Sequence, residues 1–137
     1  MKVRFAVNIE FQDILLKGRV VDISVRNGTI ASISPTVRSA RQVILPLPVD
    51  PHVHLDKTFT ANRCQPAEPG LFGAIEAMTS DALNWNEADL HDRIEKALVE
   101  AYQNGISAMR SHVDWIQEEV PLAWSVLGEV MQDWRGK

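Results

Sequence analysis

The hydrophobic pattern changes character near residue 45, and that change restricts the chain to a small set of architectures. Upstream, apolar residues cluster around a turn signal: Val20, Val21, Ile23 and Val25 run up to Asn27-Gly28, and Ile30 and Ile33 run away from it. An Asn-Gly pair supplies the two positive φ angles of a type I′ turn, so a hairpin is predicted here. Residues 1–44 read as β structure throughout. Pro35 interrupts the pattern, a polar stretch follows from Thr36 to Gln42, and Val43-Ile44-Leu45 begins a new apolar run. The polar stretch is the candidate boundary between a small N-terminal β domain, 1–44, and a second region, 45–137.

In the second region strands and helices alternate. The run ending in Val49-Asp50-Pro51-His52-Val53-His54-Leu55 predicts a buried strand that finishes in polar groups, which is where α/β enzymes place their chemistry. Pro48, just ahead of it, donates no backbone hydrogen bond and so belongs at the strand start or on an unpaired side. A loop with Pro66, Pro69 and Gly70 leads into Leu71, Ile75, Met78 and Ala82, which share one helical face. The next helix is better marked: Asn86 as N-cap, Glu87 and Asp89 near the positive dipole end, Leu90, Ile94, Ala97, Leu98 and Ala101 as the buried stripe, and Gly105 as the stop. Ile106-Ser107-Ala108-Met109 predicts a second strand running into Arg110-Ser111-His112-Val113-Asp114. The last segment begins at Pro121 and repeats Trp124, Leu127, Met131 and Trp134 at spacings of three and four, a helix with a bulky apolar face. This order, a β segment and then β-α-β-α, is the opening of a larger parallel α/β fold. Two parallel strands with their helices cannot close a barrel or cover both faces of a sheet, and a (β/α)8 barrel takes about 250 residues. The chain of 137 residues is therefore expected to be truncated.

Composition narrows the function classes. Fourteen Lys and Arg against eighteen Asp and Glu give a net charge of −4, with no basic cluster interleaved with aromatics, which argues against nucleic acid as a partner. Cys64 is the only cysteine, so an internal disulfide and a cysteine-based zinc cluster are excluded and a reducing cytoplasm is suited. It lies between Arg63 and Gln65 with no histidine in the same segment to act as its base, which argues against a nucleophilic role. The N-terminus MKVRFAVNIEFQD meets polar residues too early for a signal peptide, and no stretch approaches the roughly 18 apolar residues of a membrane span. A soluble, cytoplasmic protein without membrane association is expected.

The sharpest chemical feature is His52-Val53-His54 at a predicted strand end. Side chains two apart on a strand point to the same side, so both imidazoles can reach one metal ion. Spacing alone also describes two strand-end histidines with hydrogen-bond roles. The surroundings add to it: Asp50-Pro51 precede the pair, Leu55-Asp56-Lys57 follow, and the second strand ends in His112 and Asp114. The run from Leu45 to Phe59 resembles the first barrel strand of the amidohydrolase superfamily, in its cytosine deaminase-like branch. Asn104-Gly105-Ile106 with Arg110-Ser111-His112-Val113-Asp114 resembles the second strand, and Arg26 to Ile33 resembles the small β domain that precedes the barrel. One departure stands at Leu47-Pro48, where the family commonly has Gly.

The resemblance implies the start of a TIM-type (β/α)8 barrel, its first two βα units, with the barrel incomplete in this chain. It implies a metal-dependent hydrolase of carbon–nitrogen bonds in a small nitrogen heterocycle, most of all a cytosine deaminase-type reaction. His52 and His54 would be two ligands of a divalent metal, zinc or iron(II), and an activated water the nucleophile. The remaining ligands and acid/base groups would lie on later strands, so this chain alone is expected to be inactive or nearly so. A cyclic amidase of the dihydropyrimidinase or hydantoinase type shares the Asp-x-His-x-His strand and is the alternative within the class. Outside it stands a non-catalytic, truncated or partner-complementing module, either self-associating or bound to a partner that supplies the rest of the barrel.

Four further residues are candidates for the substrate pocket or for support behind the ligands: Lys57, Arg110, His112 and Asp114. His112 reads equally as a pocket group or as a hydrogen-bonded histidine holding the ligands. Arg110 faces the same side and can pair with a carboxylate, and a strand-end lysine such as Lys57 is often only solvated. Asp56 belongs with Lys57 as a group that contacts substrate or a loop. His91, among Asp89, Asp92 and Glu95, reads as a surface residue, and Trp124 and Trp134 as core.

Overall fold

A computed structural model describes residues 8–66, 68–115 and 117–136, so the first seven residues of the predicted β segment lie outside it. Contacts divide the chain into two compact units, Met1–Pro46 and Leu47–Lys137.

The first unit is a four-stranded sheet in the order β3-β2-β1-β4, from β1 (Ile9–Leu16), β2 (Arg19–Arg26), β3 (Thr29–Pro35) and β4 (Gln42–Val43). The Asn27-Gly28 hairpin forms as predicted, with φ of 52° and 73°. Lys17-Gly18, at 48° and 78°, makes a second turn of the same kind between β1 and β2. Ile14, Val21 and Ile23 form the small core. In β1 the register advances three residues, Phe11 to Ile14, against two in β2, a bulge where Asp13 takes a left-handed φ of 59°. The polar stretch after β3 is no free linker. Arg38 pairs with Asp13 and Asp22, and the Arg41 amide donates to the Asp13 carbonyl at 2.9 Å. These contacts hold the stretch to the sheet, so the division falls after Pro46.

In the second unit β5 (Val49–Val53) and β6 (Ala108–Ser111) pair in parallel, joined through α1 (Leu71–Ala82) and α2 (Glu87–Gln103), and α3 (Leu122–Asp133) follows. Pro48 lies one residue ahead of β5 and acts only as acceptor, its carbonyl taking the Ser107 amide at 2.9 Å. Asn86 caps α2 by accepting from the Asp89 amide at 3.0 Å. At the other end Ile106 N donates to Ala101 O and Gly105 N to Tyr102 O, with Gly105 at φ 79°, the double bond of a Schellman stop. Leu90 and Ile94 are fully buried and meet Ala123, Val126, Leu127 and Val130 of α3, with Leu55 completing the core.

The face of α3 corrects the expectation. Leu127 packs as predicted and Trp134 packs against the core, but Trp124 is 58% and Met131 65% exposed. Apolar residues cover more than one stripe of this helix, and the stripe of smaller side chains is the one that lets α3 approach α2 closely. On α1 the predicted face stays largely open, with Leu71 72% and Ile75 48% exposed. Among the described residues no helix is long and apolar enough to cross a membrane.

Candidate metal and substrate site

The site begins with a break in the β5 ladder. Asp50 pairs with Met109 and Val53 with Ser111, so β5 spends three residues where β6 spends two. Pro51 sits in that bulge, where its missing N–H leaves no ladder bond unmade, and the Asp50 carboxylate accepts from the His52 amide at 3.1 Å. Beyond the bulge the strand ends are joined again: His112 N donates to Val53 O at 2.7 Å and Leu55 N to Ser111 Oγ at 3.2 Å. The chain then turns through one 3₁₀ turn, Leu55–Lys57.

This frame brings three imidazoles together. His52 stacks on His112 with ring centroids 4.0 Å apart, and His54 lies 5.5 Å from His52 and 5.9 Å from His112. His54 Nδ1 faces two carboxylates, Asp114 at 3.6 Å and Asp56 at 3.9 Å. Lys57 Nζ is paired to Asp114. That pairing holds the Asp114 carboxyl below its usual range. Burial pushes the Asp56 carboxyl up. Burial, with the neighbouring His52 and Arg110 charges, pushes the His112 imidazole down toward its neutral form.

Of the residues singled out in the sequence, His52, His54, His112, Lys57 and Asp114 meet. Arg110 does not join them: it is exposed, makes no ion pair among the described residues, and lines a mainly apolar cavity of about 660 Å³ that none of the three imidazoles lines. A smaller cavity of about 280 Å³ has Asp56, Lys57 and Asp114 in its wall, with Trp85 and Gln117. His91 is exposed, as expected, and Cys64 is a free, half-buried thiol. Sequence reasoning left two contributors unweighted. Ser111 stitches the strand ends, and Arg93, buried on α2, binds the turn after β5. The signal for Arg93 was its position, three residues after Leu90 and four before Ala97 on the buried stripe, where a solvated cation does not belong.

Among the described residues no three His, Cys, Asp or Glu side chains converge as a ready metal centre. The donors present nevertheless suit a divalent ion of the zinc or iron kind, because His54 Nδ1 and His112 Nε2 are buried nitrogens without a hydrogen-bond partner.

Comparison with known proteins now bears on this geometry. No family model matches the chain. A pterin deaminase of Rhizobium rhizogenes (strain K84) is 31% identical over 126 residues, 85% of this chain and 29% of that protein. Among solved structures, 5-methylcytosine deaminase from Klebsiella pneumoniae superposes with a TM-score of 0.72 in its 5-fluorocytosine complex and 0.71 in its phosphonocytosine complex. Each match is 22% identical and covers 93% of this chain and 33% of the other, so it speaks for the fold. The resemblance to amidohydrolase-superfamily deaminases is thereby borne out, over part of their length. This chain spans about a third or less of the relatives it matches, and its mixed α/β structure fits a partial barrel.

Proposed function

We propose that this chain carries the first part of the active site of a hydrolytic deaminase acting on a small nitrogen heterocycle, cytosine-like in the leading case, with His52 and His54 as two ligands of zinc or iron(II). The observation that carries the reading is the cluster of three imidazoles at paired strand ends, two with buried, unpartnered nitrogens. The names of the relatives support it, since both describe removal of an amino group from a nitrogen heterocycle. In this reading β5 and β6 are the first two strands of a (β/α)8 barrel, and their ends form part of its C-terminal mouth.

Each residue then has a physical task. The carboxylates of Asp114 and Asp56, 3.6 and 3.9 Å from His54 Nδ1, place negative charge beside that nitrogen, which favours a cation held there. The His112 ring restrains that of His52 by stacking, and Lys57 keeps Asp114 ionised. Asp56, Lys57 and Asp114 also offer acceptors and a donor to the polar edge of a ring entering the smaller cavity. A divalent ion bound here supplies Lewis acidity and makes water acidic enough to serve as nucleophile near neutral pH.

Catalytic zinc sites typically use three protein ligands. With two, the 137-residue chain should bind the ion weakly and release no ammonia from cytosine, 5-methylcytosine or pterin. Titration with Co²⁺ tests the ligand assignment: wild type should bind at least tenfold more tightly than the His52→Ala/His54→Ala variant, and equal affinities would overturn it. Ammonia release by wild type that the double variant lacks would instead show the chain to be active on its own. The exposed Trp124 and Met131 favour self-association or a partner supplying further barrel units, which sedimentation at rising concentration would detect.

A further inference from the structure

Arg93 is the one buried cation among the described residues, 7% exposed, and it stands outside the cluster of imidazoles. A guanidinium is costly to bury unless its donors are placed. Here Nη1 donates to the carbonyl oxygens of Asp56 and, at 3.1 Å, of Thr58, while Nε and Nη2 donate to Asp89 Oδ2 at 3.1 and 2.9 Å. The group also lies over the Trp85 ring, 4.8 Å from its centroid. Asp89 in turn accepts from Arg63 Nη1 and Nη2 at 2.7 and 2.9 Å. The segment from Asp56 to Arg63 is thus tied to α2 at both ends, through its carbonyls at one and through the Arg63 side chain at the other. Around Asp56–Thr58 the segment's own backbone offers less: the Lys57 amide reaches His54 O at 3.1 Å and the Thr58 amide Leu55 O at 3.4 Å, a single short turn, and the next backbone bonds, from Arg63 and Cys64 to Thr60 O, lie beyond it.

We propose that Arg93 is a positioning residue for the imidazole site, fixing the Asp56–Thr58 turn so that the Asp56 carboxylate and the Lys57 ammonium hold their places against His54 and Asp114. This rests on the reading of His52 and His54 as metal ligands. The task needs a fork: two carbonyls on one side and a carboxylate on the other match the planar guanidinium, whereas a lysine ammonium keeps the charge and loses the geometry. Arg93→Lys is therefore the informative change.

The experiment uses the whole chain, ¹⁵N-labelled, with amide exchange read residue by residue and Co²⁺ as spectroscopic probe. In Arg93→Lys the amides of Lys57 and Thr58 should exchange at least tenfold faster, those of Ala97 and Val99 further along α2 should be unchanged, and the Co²⁺ dissociation constant should rise at least tenfold. Unchanged exchange at Lys57 and Thr58 overturns the proposal. So does an equal rise at Ala97 and Val99, which would make Arg93 a general prop of the helix, and so does unaltered Co²⁺ affinity in a chain whose turn has loosened. A wild-type chain that binds no Co²⁺ sinks the metal reading separately, and the exchange comparison still decides whether Arg93 holds the turn. Should Arg93→Lys fail to fold, Asp89→Asn weakens the same clamp from its far side, with about a threefold rise in exchange at Lys57 and Thr58 expected and none overturning the proposal.

Discussion

Each unit of the chain buries an aspartate, and the two are treated in opposite ways. Asp13, 7% exposed at the bulge of β1, receives the Arg38 guanidinium and has Arg41 at 3.6 Å, while its amide donates to Asp22 at 3.0 Å. Asp56, 3% exposed beside the imidazoles, keeps Oδ1 without a hydrogen-bond partner. Lys57 acts on it only through space, its ammonium being paired with Asp114. A carboxylate that serves only the fold is surrounded by donors, because an unmet one destabilises it. A carboxylate with one oxygen left unmet next to three histidines has the features of a site whose polar groups serve a ligand rather than the core.

The same substitution at both positions is the strongest way to break this comparison. Asp13→Asn removes the charge that holds Arg38 and should destabilise the chain by about 2 kcal/mol. A shift in the urea midpoint measures it, and an unchanged midpoint would show that the bulge needs no ion pair. A smaller effect is expected at Asp89, whose carboxyl is held well below the usual range by hydrogen bonds from Arg63 first and Arg93 second. A depressed carboxylate contributes stability above its unfolded pKa and loses it as pH falls through the folded one. Wild type should accordingly weaken progressively below about pH 4, by roughly 1–2 kcal/mol from this group, and Asp89→Asn should flatten that part of the profile. Acid unfolding profiles that superimpose would remove Asp89 from the account.

The smallest stability change is the most telling one. Asp56→Asn removes a charge that burial disfavours more than its neighbours favour, so stability should stay within about 1 kcal/mol of wild type or rise. Co²⁺ affinity should fall about tenfold, as expected for loss of a group that orients a ligand. A loss of stability as large as at Asp13 would erase the contrast between the two aspartates and make Asp56 a fold residue.

Much of this was legible in the sequence. Asn27-Gly28 marks a hairpin because few residue pairs accept two positive φ angles, and Asn86 and Gly105 mark the ends of α2 because a cap and a left-handed stop each ask for a particular side chain. His52 and His54 were visible as a pair at a strand end. The bulge at Pro51 was not read from the sequence, and neither was the stacking of His112 on His52, since both depend on which residue of β6 each residue of β5 meets. The face of α3 was misjudged because periodicity locates apolar stripes without saying which of two will pack, and Trp124 was assigned to the core from its place on the stripe that stayed exposed. Arg93 escaped because Asp89 and Arg93, four apart, also describe an ordinary exposed ion pair on a helix.

Local conformational chemistry therefore settled the turns, the caps, the alternation of strand and helix, and the presence of two imidazoles two residues apart at one strand end, since each is decided by residues within a few positions of one another. Tertiary structure alone decided which polar groups are buried and which of them find partners. Residues far apart along the chain, Lys57 with Asp114 and Arg93 with the carbonyl of Asp56, become neighbours only when the parallel strands and the helix between them have packed. The properties of a site depend on that burial and pairing, because desolvation and charge act through space and not along the sequence.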